Sequence, residues 1–73
     1  MREFTEGEFN RVIRTRISED LHRQGLTVAQ FAKAIRVSRP TAYRILSGAR
    51  PLFWDEVSLA AGLLSWNSDR LEY

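Results

Sequence analysis

Leu26-Thr27-Val28-Ala29-Gln30-Phe31-Ala32-Lys33-Ala34-Ile35-Arg36-Val37-Ser38-Arg39-Pro40-Thr41-Ala42-Tyr43-Arg44-Ile45-Leu46-Ser47-Gly48 decides how this chain folds. Thr27, followed three residues later by Gln30, is a capping box that starts a helix. Val28, Phe31, Ala32 and Ile35 return at helical spacing and form its buried face. The helix is about two turns long and stops near Arg36. Ser38 caps a second helix, with Pro40 in its first turn, where no intrahelical amide bond is lost. Ala42, Ile45 and Leu46 give that helix its apolar side, and Gly48 closes it. Ala32 is small where two helices must cross closely. Val37, a single apolar residue between the helices, can plug the space between them, and Ile45 can lock the second helix onto the first.

Upstream, Thr5-Glu6-Gly7-Glu8 has the spacing of another capping box. Phe9, Val12, Ile13, Ile17 and Leu21 then mark one stripe of a helix over about 6–24, which Gly25 ends. Downstream, Ala49-Arg50-Pro51 is a turn. A further helix starts near Trp54-Asp55-Glu56, with its acids where the helix dipole favours them. Val57, Leu59, Ala60, Leu63 and Leu64 face inward, Ser65–Ser68 is a break, and Asp69–Tyr73 forms at most one more turn. No strand-like alternation and no internal repeat is present. The expected fold is all-α: a bundle of four to five short helices in a single domain spanning 1–73. Its central helix pair covers about 27–47, residues 1–5 are a candidate N-terminal arm, and 66–73 form a short C-terminal segment.

With 73 residues there is room for one small domain, whose core alone supplies only about 3–5 kcal/mol. The chain has no cysteine and one histidine, His22. Disulfides and cysteine-bound zinc are excluded, and His22, on a polar stretch, reads as a surface residue. No metal, cofactor or small-molecule ligand is expected. Glu19-Asp20 and Asp55-Glu56 are adjacent on helices and so point about 100° apart, which makes neither a natural acid–base dyad. Solvation and the helix dipole explain both. No nucleophile or phosphate loop suggests an enzyme. No apolar run approaches a membrane span, and no leader pattern opens the chain, so a cytoplasmic protein is expected.

The charges are unevenly placed. The net charge is +2, yet residues 1–10 carry −2 and residues 51–73 carry −3. Residues 11–50 carry +7, from Arg11, Arg14, Arg16, Arg23, Lys33, Arg36, Arg39, Arg44 and Arg50 against Glu19 and Asp20. A basic middle suits a polyanion, although a solvated face gives the same pattern. Ten of the eleven basic residues are arginine, whose fork matches phosphate and the guanine edge. A GC-rich genome would produce the same bias.

Two short helices joined in this way form a helix-turn-helix, whose second helix protrudes enough to enter the DNA major groove. The segment resembles the lambda-repressor-like, Cro-like helix-turn-helix family. Leu26-Thr27, Phe31-Ala32, Ile35, Val37-Ser38-Arg39, Thr41, Arg44-Ile45 and Gly48 carry the resemblance. Leu59-Ala60-Ala61-Gly62-Leu63 resembles the family's fourth helix, so the match covers about residues 10–65. Arg36 stands where glycine is usual, and must take a left-handed conformation at some cost. Leu46 and Val28 stand where polar residues are commoner, and Leu64 replaces a frequent terminal glycine. The region that often makes the family's dimer contact is short here.

The resemblance implies DNA-contacting roles along the helix pair. Arg39 and Arg44 are candidates for a fork to guanine or for a phosphate contact. Thr41 and Tyr43 are candidates for contact with bases, a thymine methyl or the sugar–phosphate chain. Thr27, Ser38 and Ser47 cap or flank helices, where amides and hydroxyls suit phosphate. Arg36 and Arg50 could grip the backbone. Pro40 stiffens the second helix and brings no hydrogen-bonding group, which narrows what that helix can read. At the acidic end, Phe53, Trp54, Trp66, Leu71 and Tyr73 either complete the core or form a dimer or partner surface.

The implied function is a sequence-specific regulator of transcription that binds double-stranded DNA. It would be a small Cro-type or repressor protein of a phage, prophage or plasmid, binding an inverted repeat as a homodimer in the bacterial cytoplasm or nucleoid. Two other readings compete: an excisionase-like architectural protein, and a protein-interaction module such as an antitoxin or antirepressor. A winged excisionase would place a β-hairpin where Val57–Leu64 reads as helix.

Overall fold

A computed structural model describes residues 3–66. Four helices follow one another: α1 (Gly7–Gln24), α2 (Val28–Ile35), α3 (Arg39–Ser47) and α4 (Trp54–Leu64). Helix α2 packs on α3 and α4, and α1 packs on the same two. Their shared core is formed by Ile17, Leu21, Phe31, Ala32, Ile35, Ala42, Ile45, Leu52, Ala60 and Leu64. Ala32, Val37 and Ile45 take the places the sequence assigns them: Ala32 and Ile45 are buried, and Val37 packs against the core from the turn. Leu46 and Val28, which depart from the family pattern, also lie against this core. Among the described residues, the chain after α3 leads into helix α4, with no β-hairpin in the place of a wing. The last expected turn, with Leu71 and Tyr73, lies outside the described residues.

The helix ends follow the chemistry of their caps. Thr27 accepts from the Gln30 amide, and the Gln30 side chain accepts from the Thr27 amide, which completes the box. Ser38 accepts from the Thr41 amide. Gly25 and Gly48 end α1 and α3 in the left-handed region. Arg36 does the same for α2, at φ 68°.

The capping box expected at Thr5 does not form. The helix is preceded by Glu6, which makes no side-chain cap. Thr5 is buried, and its hydroxyl donates to the Leu52 carbonyl (3.0 Å) and accepts from Asn10 Nδ2 (2.7 Å). That bond to the α3–α4 connection takes the hydroxyl away from the helix end. The Thr5 amide also donates to Leu52, and the Trp54 amide donates to Glu3, so Phe4 and Phe53 pair across a short antiparallel bridge. Residues 3–5 of the candidate arm therefore lie on the domain rather than extending from it.

Two acids expected to be solvated are buried instead. Asp20 is 4% exposed and Glu56 0%. Glu56 accepts both arms of Arg50, at 2.7 and 3.0 Å, and also accepts from the Phe53 amide at the start of α4. Asp20 accepts from Trp66 Nε1 and from Arg23, with Arg16 beside it.

Candidate nucleic-acid interface

Helix α3 turns Ala42 and Ile45 inward, so the opposite side of the same helix is left for a ligand. Arg39, Pro40, Tyr43, Arg44 and Ser47 are exposed there, one and two turns apart on a continuous face. Ser38 sits at its N-terminal end and Thr41, half-buried, at its edge. Thr27 and Arg36 are exposed at the two ends of α2. The structure thus brings Ser38, Arg39, Pro40, Tyr43, Arg44 and Ser47 together.

A chain of hydroxyl contacts runs along this face. Ser38 Oγ lies 3.0 Å from Thr41 Oγ1, and Arg44 Nη2 donates to the same Thr41 oxygen at 3.2 Å. Ser47 Oγ donates to the Arg44 carbonyl at 3.0 Å. Arg44 is held by the residue one turn before it. The spacing 38, 41, 44 could have revealed this, since i,i+3 residues are neighbours on a helix. The sequence showed Arg14 only as one of the basic residues of 11–50, with no place in the site. Its guanidinium lies over Gly48, where an added Cβ would stand 2.9 Å from Arg14 Cζ. With φ at +93°, Gly48 is required for its backbone conformation, and a side chain there would also displace the Arg14 guanidinium.

The ion pairs sort the basic residues. Arg11 pairs with Glu8, Arg16 and Arg23 pair with Asp20, and Arg50 pairs with Glu56. Among the described residues, Arg14, Lys33, Arg36, Arg39 and Arg44 have no such carboxylate. Three of these five, Arg36, Arg39 and Arg44, are exposed on the α2–α3 turn and the outer face of α3, where a polyanion would meet them. Arg50, a candidate backbone grip, is occupied instead: its guanidinium binds Glu56 and the Pro51 carbonyl.

A family model for the helix-turn-helix domain matches residues 14–71. The chain belongs to that family. This bears out the resemblance carried by residues 26–48 and the all-α fold expected from it, and it makes the protein a helix-turn-helix domain of the DNA-binding type. No curated protein and no solved structure matches it.

The aromatic residues divide between core and surface. Trp66 packs against the core and is tied to Asp20, with the Arg16 guanidinium 4.7 Å above its ring. Phe53 is half-buried and stacks on Phe4 with centroids 4.1 Å apart. Trp54 stays 46% exposed and stacks on Phe9, itself 43% exposed. The aromatic surface exposed at this end of the described residues is therefore Trp54 together with Phe9 and Phe4, two residues that the sequence did not connect with it.

Arg36 gives a way to separate folding from binding. A residue other than glycine in the left-handed region is strained by about 1 kcal/mol. Arg36→Gly should raise the melting temperature by roughly 4–8 °C for a domain of this size. If Arg36 contacts a phosphate, the same change should weaken DNA binding and lower the salt slope by about one unit. Thermal unfolding and salt titration of one variant measure both effects.

Proposed function

We propose that this protein is a sequence-specific regulator of transcription that acts by inserting α3 into the major groove of double-stranded DNA. The observation that carries this reading is the placement of Arg36, Arg39 and Arg44. They are exposed on the α2–α3 turn and on α3 with no carboxylate partner among the described residues, while Arg11, Arg16, Arg23 and Arg50 are paired within the fold. Arg39 and Arg44 would meet base edges, with guanine as the favoured partner of an arginine fork. Thr27, Ser38, Ser47 and Arg36 would meet phosphates, and Thr41 and Tyr43 would complete the contact. Arg50 is left out, because Glu56 holds it.

A small Cro-type or repressor role in a phage, prophage or plasmid is the finer form of this proposal and rests on the family resemblance. The exposed Trp54–Phe9 stack is the surface offered for a homodimer on an inverted repeat. Its half-sites would then lie about 34 Å, one helical turn, apart.

The test is selection from a randomised duplex library at two salt concentrations, followed by sequencing. The expected result is an enriched inverted repeat whose binding weakens steeply with salt. A single enriched half-site would keep the regulator and remove the dimer. Salt-sensitive binding with no enriched sequence would defeat the proposal and favour an interaction module acting through Trp54 and Phe9.

A further inference from the structure

Beside Arg39, the outer side of α3 carries two exposed residues without charge, Pro40 and Tyr43. Arg39, Pro40 and Tyr43 line an open depression on the outer side of the helix. Pro40 has no side-chain donor or acceptor. Tyr43 is 58% exposed and one turn further along, so its ring forms the second wall. Arg39 forms the third wall, and its long aliphatic stem is able to cover apolar surface. A base pair opposite Pro40 cannot be selected by hydrogen bonds from that residue. It can be selected by apolar contact, and the only apolar group that a natural base pair shows in the major groove is the C5-methyl of thymine.

Resting on the DNA-binding reading above, we infer that α3 reads a two-base-pair step: a guanine held by Arg39, next to a pyrimidine whose C5-methyl sits in the Arg39–Pro40–Tyr43 depression. The dimensions agree. A helix rises about 1.5 Å per residue, so Arg39 and the middle of the Pro40–Tyr43 turn stand about 3.8 Å apart along the axis, close to the rise of about 3.4 Å between base pairs. Arg39 and the depression it lines can therefore address neighbouring base pairs. Arg44 is tethered to Thr41 and pointed along the helix, so it addresses a separate position. Arg39 has no ion-pair partner among the described residues. The pocket recognises a methyl and not a hydrogen-bonding edge, so 5-methylcytosine in that place is a ligand of the same chemical class.

The test uses the duplex recovered by selection. Arg39→Ala should relax the preference at one guanine and thereby mark the step. At the thymine beside it, deoxyuridine removes the methyl and nothing else. The wild-type protein should bind the deoxyuridine duplex about four-fold more weakly, the factor that goes with burying one methyl group. A 5-methylcytosine–guanine pair there should bind more tightly than an unmethylated cytosine–guanine pair. In the double variant Pro40→Ala, Tyr43→Ala, both methyl effects should fall to less than about half of this, since the wall is gone. Both side chains are exposed, so that variant keeps its fold. An enriched site with equal thymine and deoxyuridine affinities overturns this inference and leaves the regulator intact. So does a methyl effect that persists undiminished in the double variant, which would place the methyl elsewhere. Failure to enrich any sequence overturns the inference together with the reading it rests on.

Discussion

Replacing Arg50 by alanine should destabilise the domain by about 3 kcal/mol, the lower end of what breaking a buried ion pair costs. Glu56 is fully buried and accepts both arms of the Arg50 fork. The same carboxylate accepts from the Phe53 amide, so it also anchors the first turn of α4. Arg50 Nη1 donates in addition to the Pro51 carbonyl, and the guanidinium lies 5.0 Å above the Phe53 ring. Alanine withdraws the guanidinium's contacts and leaves the buried carboxylate without its arginine. Against a total of about 3–5 kcal/mol for a chain of this size, the variant should be substantially unfolded at room temperature. Lysine restores the charge without the fork and should recover part of the loss. Urea unfolding followed by circular dichroism measures both variants. The double change Arg50→Ala, Glu56→Gln should be less destabilised than the sum of the two single changes, because the charge that alanine strands is then absent. An Arg50→Ala protein as stable as the parent would show that this pair does not hold the α3–α4 connection.

What the sequence made legible was local. Thr27 with Gln30, Ser38 before Pro40, and the left-handed ends at Gly25, Arg36 and Gly48 depend on residues within one turn, and each stands where its chemistry puts it. The buried faces of α2 and α3 followed from spacing alone, and so did the exposed face of α3 that the proposal uses. The misreadings were non-local. Thr5 had the right spacing for a cap, but its hydroxyl found the Leu52 carbonyl 47 residues away. Asp20 and Glu56 look solvated from their neighbours in sequence. Their burial depends on Trp66 and on Arg50 folding back across the turn. Arg50 counted towards a basic face for the same reason, since charge along the chain does not show which arginines the fold has already neutralised. Phe9 and Trp54 are 45 residues apart, and they are joined by the packing of α1 against α4 and by the pairing of residues 3–5 with 52–54.

Asp20 should make the domain sensitive to acid. Burial pushes its carboxyl up. Hydrogen bonds from Trp66 and Arg23, together with the charges of Arg23 and Arg16, outweigh that and hold the carboxyl below the ordinary aspartate range. A carboxyl with a lower pKa in the folded state than in the unfolded state binds fewer protons when folded. Its stabilisation is therefore fully present above the unfolded value of about 3.9 and is lost as pH falls through the lower, folded value. Over that window the stability of the wild-type protein should decline. In Asp20→Asn the part of the decline due to this group should vanish, leaving a flatter curve that starts lower at neutral pH. Asp20→Ala should cost about 2 kcal/mol at neutral pH, because the indole N–H of Trp66 loses its acceptor in a half-buried setting. Trp66 fluorescence reports the same event from the other partner, and should change with the stability loss in Asp20→Ala even where helix content does not. If Asp20→Asn keeps the full acid dependence, Asp20 is not the group responsible for it. If fluorescence is unchanged in Asp20→Ala, the end of α4 is held to α1 by Gln24 Nε2, which donates to the Leu64 carbonyl at 3.1 Å, and by apolar packing rather than by this carboxylate.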